Sequence, residues 1–101
     1  MLIHRWQAPM VPDPSQMKML FATEGLEPFE EVLEPGRRIP DSRHPFDEVR
    51  MVAKGELLLE ILGTRMLLRE GDKIIIPANT RHSKQASGDT PCLCICAHQV
   101  D

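Results

Sequence analysis

After Pro28 the chain is cut every few residues by glycine or proline, and the pieces between the cuts are too short for ordinary helices. The pieces are Phe29–Leu33, Glu48–Lys54, Glu56–Leu62, Thr64–Arg69, Lys73–Ile76, Thr80–Ala86 and Cys92–His98. Their boundaries are Pro35-Gly36, Gly55, Gly63, Gly71-Asp72, Pro77 and Ser87-Gly88-Asp89. Within them apolar residues alternate, as in Leu57, Leu59 and Ile61, the period of a strand with one face buried. Short strands at nearly even spacing predict a sandwich or barrel. The glycine-centred turns predict hairpin connections and hence antiparallel pairing, with Leu62-Gly63 as one hairpin tip.

The start of the chain reads differently. Leu2–Trp6 fits a short edge strand. Asp13-Pro14-Ser15-Gln16 then carries a helix start, with Asp13 as N-cap, Pro14 at the first helical position and Gln16 completing a capping box. Met17, Leu20 and Phe21 would share the buried face of that helix, and Gly25 would stop it. A chain of 101 residues has room for one domain, with residues 1–27 as strand and helix and 28–98 as the barrel.

Composition narrows the class of function. Lys and Arg total 12 against 15 Asp and Glu, a formal charge of -3, so no basic nucleic-acid surface is expected. No apolar run approaches the ~20 residues of a membrane-spanning helix, and Met1–Met10 lacks a signal-peptide core. A cytoplasmic protein with neither nucleic-acid nor membrane partners is the expectation. Cys92, Cys94 and Cys96 are an odd set on alternate strand positions, so their thiols share one face. They read as buried apolar fillers, with a pocket nucleophile or a zinc site including His98 as rival readings.

Three residues can hold a metal. His44 and Glu48 lie close in sequence across a bend at Pro45, and His82 starts a later strand. Two imidazoles and a carboxylate are a minimal set for a divalent transition metal, with positions left open for water and substrate.

The punctuation around these residues resembles that of the cupin superfamily of small jelly-roll barrels. The first cupin motif, G(X)5HXH(X)3,4E(X)6G, runs here from Gly36 through Ser42, His44 and Glu48 to Gly55. The second, G(X)5PXG(X)2H(X)3N, runs from Gly71 through Pro77, Asn79 and His82 to Ala86. Spacing is kept in both. Asn79 replaces a glycine but tolerates a left-handed backbone, and Ala86 replaces the final asparagine. Ser42 replaces the first motif histidine, one imidazole fewer than the family's usual three histidines and a glutamate.

The resemblance implies an all-β jelly-roll barrel with one short N-terminal helix. It also implies a site at His44, Glu48 and His82 for Fe, Mn, Ni or Zn, serving dioxygenase, isomerase or lyase chemistry on a small polar or anionic molecule. Ser42 would reach a metal-bound water. The alternative is a non-catalytic binding or sensor module that has lost its metal. If Glu48 faces inward, strand alternation turns Arg50 and Val52 inward too; if His82 does, Lys84 and Ala86 follow. Arg50 would orient a ligand or pair with Glu48, while Lys84 is expected to lean out into water. Met51, Leu58 and Leu67 fall on the opposite faces. With Trp6, Met19 or Phe21 they suggest a homodimer interface, as small cupins often form, unless the N-terminal segment covers that face.

Overall fold

Among the described residues, 2–100 of the computed structural model with the side chains of Asp41 and Ser42 excepted, one helix and nine strands form. In chain order they are β1 (Leu2–His4), α1 (Pro14–Thr23), β2 (Phe29–Leu33), β3 (Arg38–Ser42), β4 (Asp47–Lys54), β5 (Leu57–Ile61), β6 (Thr64–Leu68), β7 (Lys73–Ile76), β8 (His82–Ala86) and β9 (Cys92–Gln99). A five-stranded sheet has the order β1-β7-β4-β9-β2, and a four-stranded sheet the order β3-β8-β5-β6.

Every strand pair is antiparallel, as the turns predicted. The predicted run of hairpins is corrected: β5 and β6 are the one pair of consecutive strands that bond directly. The turns at Gly71 and Gly88 instead carry the chain from one sheet to the other. Each half-apolar strand gains more by facing the opposite sheet than by extending its own, and alternating between sheets gives both inner faces one shared core. The β5–β6 tip is the predicted one. Leu62 takes φ 50 and Gly63 φ 80, so the chain turns in two residues although leucine is strained there.

β3 was not anticipated. Its RIPDS sequence holds a proline and two charges, which argue against a central strand. It lies at the sheet edge, where its register against β8 shifts between Ile39 and Ser42, and an edge tolerates a proline that cannot donate.

Two apolar layers form. Inside, Leu33, Val52, Leu57, Leu59, Ile61, Leu68, Ile74 and Ile76 pack with Cys92, Cys94 and Cys96. Outside the five-stranded sheet, Val49, Met51, Ala53, Ile95 and Ala97 are covered by Met17 and Phe21 of α1. The helix begins with the predicted capping box, Asp13 Oδ1 accepting from the Gln16 amide and Gln16 Oε1 from that of Asp13, each at 2.8 Å. Leu20, expected on the buried face, is instead 45% exposed. Met51 and Phe21 are buried within one chain, so neither supplies the dimer surface expected of them.

The segment before the helix is fixed by one carboxylate. Asp72, just after Gly71, accepts from the Trp6 amide at 2.9 Å, Arg5 Nη1 at 2.8 Å and the Arg69 amide at 2.9 Å. Gly71 (φ 94) leaves room for Trp6, since a Cβ there would sit 2.6 Å from the indole side chain.

Candidate metal centre

The two loops bearing the histidines are joined by backbone contacts. The Asn79 amide donates to the His44 carbonyl at 2.6 Å, and Asp47 Oδ1 accepts from the Ala78 amide at 2.8 Å. Asn79 takes the left-handed φ of 59 expected where the motif has glycine. Beside these contacts Glu48 pairs with Ile76 on β7, and the Ser42 backbone is opposite His82. These four ties bring residues from β4, β8 and the bend before β4 to one end of the barrel.

His44, Glu48 and His82 converge there, each offering a ligand atom within 4.8 Å of the others. Glu48 Oε1 lies 3.5 Å from His44 Nε2 and 3.7 Å from His82 Nε2. Glu48 and His82 are buried, and the His44 side chain is one-third exposed. His82 Nδ1 lies 2.9 Å from the Thr80 carbonyl, so the proton belongs on Nδ1 and the lone pair on Nε2. That Nε2 is buried and has no hydrogen-bond partner. A ring held by a carbonyl on one nitrogen and bare on the other is the form a metal-binding imidazole takes. Burial lowers the His44 pKa from its ordinary value of 6.5, the neighbouring Glu48 carboxylate only partly opposing this, which favours its neutral imidazole. A buried bare nitrogen, a second imidazole and a carboxylate together fit a divalent transition metal.

Alternation turned Arg50 and Lys84 inward as predicted, but the solvent-facing Lys84 is corrected. Lys84 is 5% exposed, and its Nζ donates to both Glu48 oxygens, at 3.0 and 3.3 Å. Arg50 pairs with Glu48 through Nε at 2.9 Å and reaches Glu31 through Nη2 at 2.6 Å; its Nη1 is buried without a hydrogen-bond partner. Burial works against ionising Glu48, but the charges of Arg50 and Lys84 more than offset it and hold the carboxyl well below its usual range. The expected role of the Ser42 side chain lies outside the described residues.

Sequence reasoning missed two features. Glu31 is one; it shares a strand face with buried Leu33 and sits opposite Cys94, so β2 alternation carried the signal. The other is an aromatic stack. His44 stacks on Phe46 (5.0 Å between centroids), Phe46 on His98 (3.9 Å), and Phe29 meets His98 edge-on (5.1 Å). His98 is exposed and pairs with aromatics, not with a cysteine-based zinc site.

The three cysteines face the interior, fully buried and reduced, as alternation predicted. Cys92 and Cys94 Sγ lie 3.7 Å apart. The Cys92 thiol and then Arg50 make Cys94 the more acidic of the two, against the opposing effect of burial, while burial pushes Cys96 up to about 12.

Residues 29–98 match the cupin domain family. This chain belongs to the cupin family. Its solved structural relatives include DMSP lyase DddQ from Ruegeria pomeroyi DSS-3, 22% identical with a TM-score of 0.68, covering 75% of this cupin and 39% of the lyase. Drosophila melanogaster CENP-C bound to CAL1 is 23% identical with a TM-score of 0.66, covering 71% and 63%. A cupin 2 domain-containing protein from Halorhodospira halophila is 25% identical with a TM-score of 0.68, covering 75% and 53%. This cupin therefore spans less than two thirds of each relative's length. No curated protein sequence matches it. No helix among the described residues is long and apolar enough to cross a membrane.

Proposed function

We propose that this cupin binds one divalent transition metal through His44 Nε2, His82 Nε2 and the Glu48 carboxylate, and uses the site on a small anionic molecule. The observation that carries the reading is the bare, buried Nε2 of His82, aimed at a carboxylate and a second imidazole. Fe, Mn, Ni and Zn all suit two imidazoles and a carboxylate. When bound, such an ion supplies Lewis-acid polarisation of a ligand oxygen or activation of water.

Charge supports the anionic class of ligand. Arg50 and Lys84 already balance Glu48 and Glu31, so a divalent ion leaves the site with excess positive charge that a small anion would offset. The one-third-exposed His44 ring and its stack on Phe46 are the solvent-facing side by which such a molecule would enter. The likeness to a DMSP lyase accords with lyase chemistry, alongside dioxygenase and isomerase chemistry.

A non-catalytic binding module is the second reading, favoured by one observation: Glu48 is fully paired by Arg50 and Lys84 without any metal. The CENP-C domain bound to CAL1 belongs to a partner-binding cupin of the same fold. A homodimer joins either reading through Met10, before α1 and 82% exposed, and Met19, on α1 and 69% exposed. Light scattering after size exclusion tests it, one chain mass arguing against the dimer.

Elemental analysis of untagged protein separates the two readings. Near-stoichiometric Fe, Mn, Ni or Zn, lost in His44→Ala and His82→Ala, is expected from the first. Metal-free protein that takes up none on reloading at neutral pH supports the second.

A further inference from the structure

The lysine in this site sits on the carboxylate of the metal ligand set itself. Arg50 is shared: its Nη2 holds Glu31 at 2.6 Å and its Nε holds Oε2 of Glu48 at 2.9 Å. Lys84 is a second cation on the same group. Its whole side chain is buried, which costs a lysine both rotamer freedom and hydration. Its ammonium does not take a single oxygen but straddles both, at 3.0 and 3.3 Å. Oε1, left free by Arg50, is the oxygen nearest both imidazole nitrogens, so it is the one a metal would share with them. Lys84 thus lies against the ligand atom that completes the metal set. Strand geometry fixes it there, because His82 and Lys84 are alternate residues of β8 and project from one face.

We propose that Lys84 is a resident counter-cation that competes with the divalent metal for the Glu48 carboxylate and so sets the metal affinity of the site. This rests on the reading of His44, Glu48 and His82 as a metal ligand set. The competition has two parts. The ammonium must give up at least one Glu48 oxygen, and it then repels the ion at short range in a poorly screened interior. Replacing the charge with an apolar group of similar length removes both effects while Arg50 continues to hold Oε2.

The test is Zn(II) affinity by competition with a chromogenic chelator, for untagged wild type, Lys84→Met and Lys84→Arg, each first shown to be folded by circular dichroism. Lys84→Met should bind Zn(II) about tenfold or more tightly, and Lys84→Arg, which keeps the charge, should not. His82→Ala in the Lys84→Met background should abolish the gain, showing that it arises at this site. Lys84→Gln serves in place of Lys84→Met if the latter does not fold. Wild-type binding that is unchanged or weakened in Lys84→Met overturns the proposal for Lys84 and leaves the metal site standing. No binding by wild type but clear binding by Lys84→Met supports the competition while overturning the metal-dependent function. No binding by any folded variant overturns both.

Discussion

Arg50 Nε donates to Glu48 Oε2 at 2.9 Å from two positions along the same strand, inside the barrel, where both side chains are almost fully buried. A strand places residues two apart on one face, and here that geometry turns a pair of neighbours into an interior ion pair. Lys84 from β8 and Glu31 from β2 extend it across both sheets. Removing one partner of a buried pair strands the others. Glu48→Gln should therefore destabilise the protein by about 3 kcal/mol, because Lys84 and Arg50 lose their shared carboxylate. Urea denaturation at pH 7 checks this; a midpoint equal to wild type would mean the network contributes nothing to folding.

The same network gives the pH response a sign. The Glu48 and Asp72 pKa values are lowered from ordinary values of 4.5 and 3.8, so the folded state binds fewer protons than the unfolded one just below those values. Their stabilisation is full above the unfolded values and is lost as pH falls through the folded ones. His44 acts in the same direction: its pKa is lowered from 6.5, so its contribution is full above 6.5 and declines as acid charges the unfolded imidazole first. Chemical stability should thus fall gently from pH 7 toward 5 and steeply below 4.5. Glu48→Gln should flatten the steep part. A curve that rises on acidification contradicts this assignment.

The hairpin tip offers a gain. Leu62 is 81% exposed and holds φ 50 without any contact that calls for leucine there. Leu62→Asn should stabilise by roughly 1 kcal/mol, since Asn-Gly is the preferred pair for this turn. A lowered melting temperature would show that Leu62 has a partner outside this chain.

Two glycines separate backbone strain from crowding. Both Gly55 (φ 81) and Gly36 (φ 79) are left-handed, but a Cβ at Gly55 would lie 2.4 Å from the Pro91 carbonyl oxygen, whereas at Gly36 it meets nothing within 4 Å. Gly36→Ala should cost about 1 kcal/mol and Gly55→Ala at least twice that. Equal losses, read from denaturation midpoints, would mean the β4–β5 turn shifts freely away from Pro91.

Much of this was legible in the chain. Glycine and proline spacing marked the strand ends from Phe29 onward, and alternation put Arg50 on the face of Glu48, Lys84 on that of His82 and the three cysteines on one face, although Lys84 was expected to lean out into water. What alternation lacks is a partner. It cannot tell which strand lies across the barrel, so it could not join Lys84 to Glu48 or find Glu31, whose pairing with Arg50 spans two strands of the sheet and 19 residues of chain. β3 was hidden for a different reason: its stability comes from the β8 edge, not from its own propensity.

Anomalous diffraction from crystals grown with Mn(II) or Zn(II) tests the metal centre most directly. One peak about 2.0–2.2 Å from His44 Nε2, His82 Nε2 and a Glu48 oxygen, with Lys84 drawn back from that oxygen, is the expected result. A map with no peak there, and with the Lys84 ammonium still bridging both oxygens of Glu48, would contradict it.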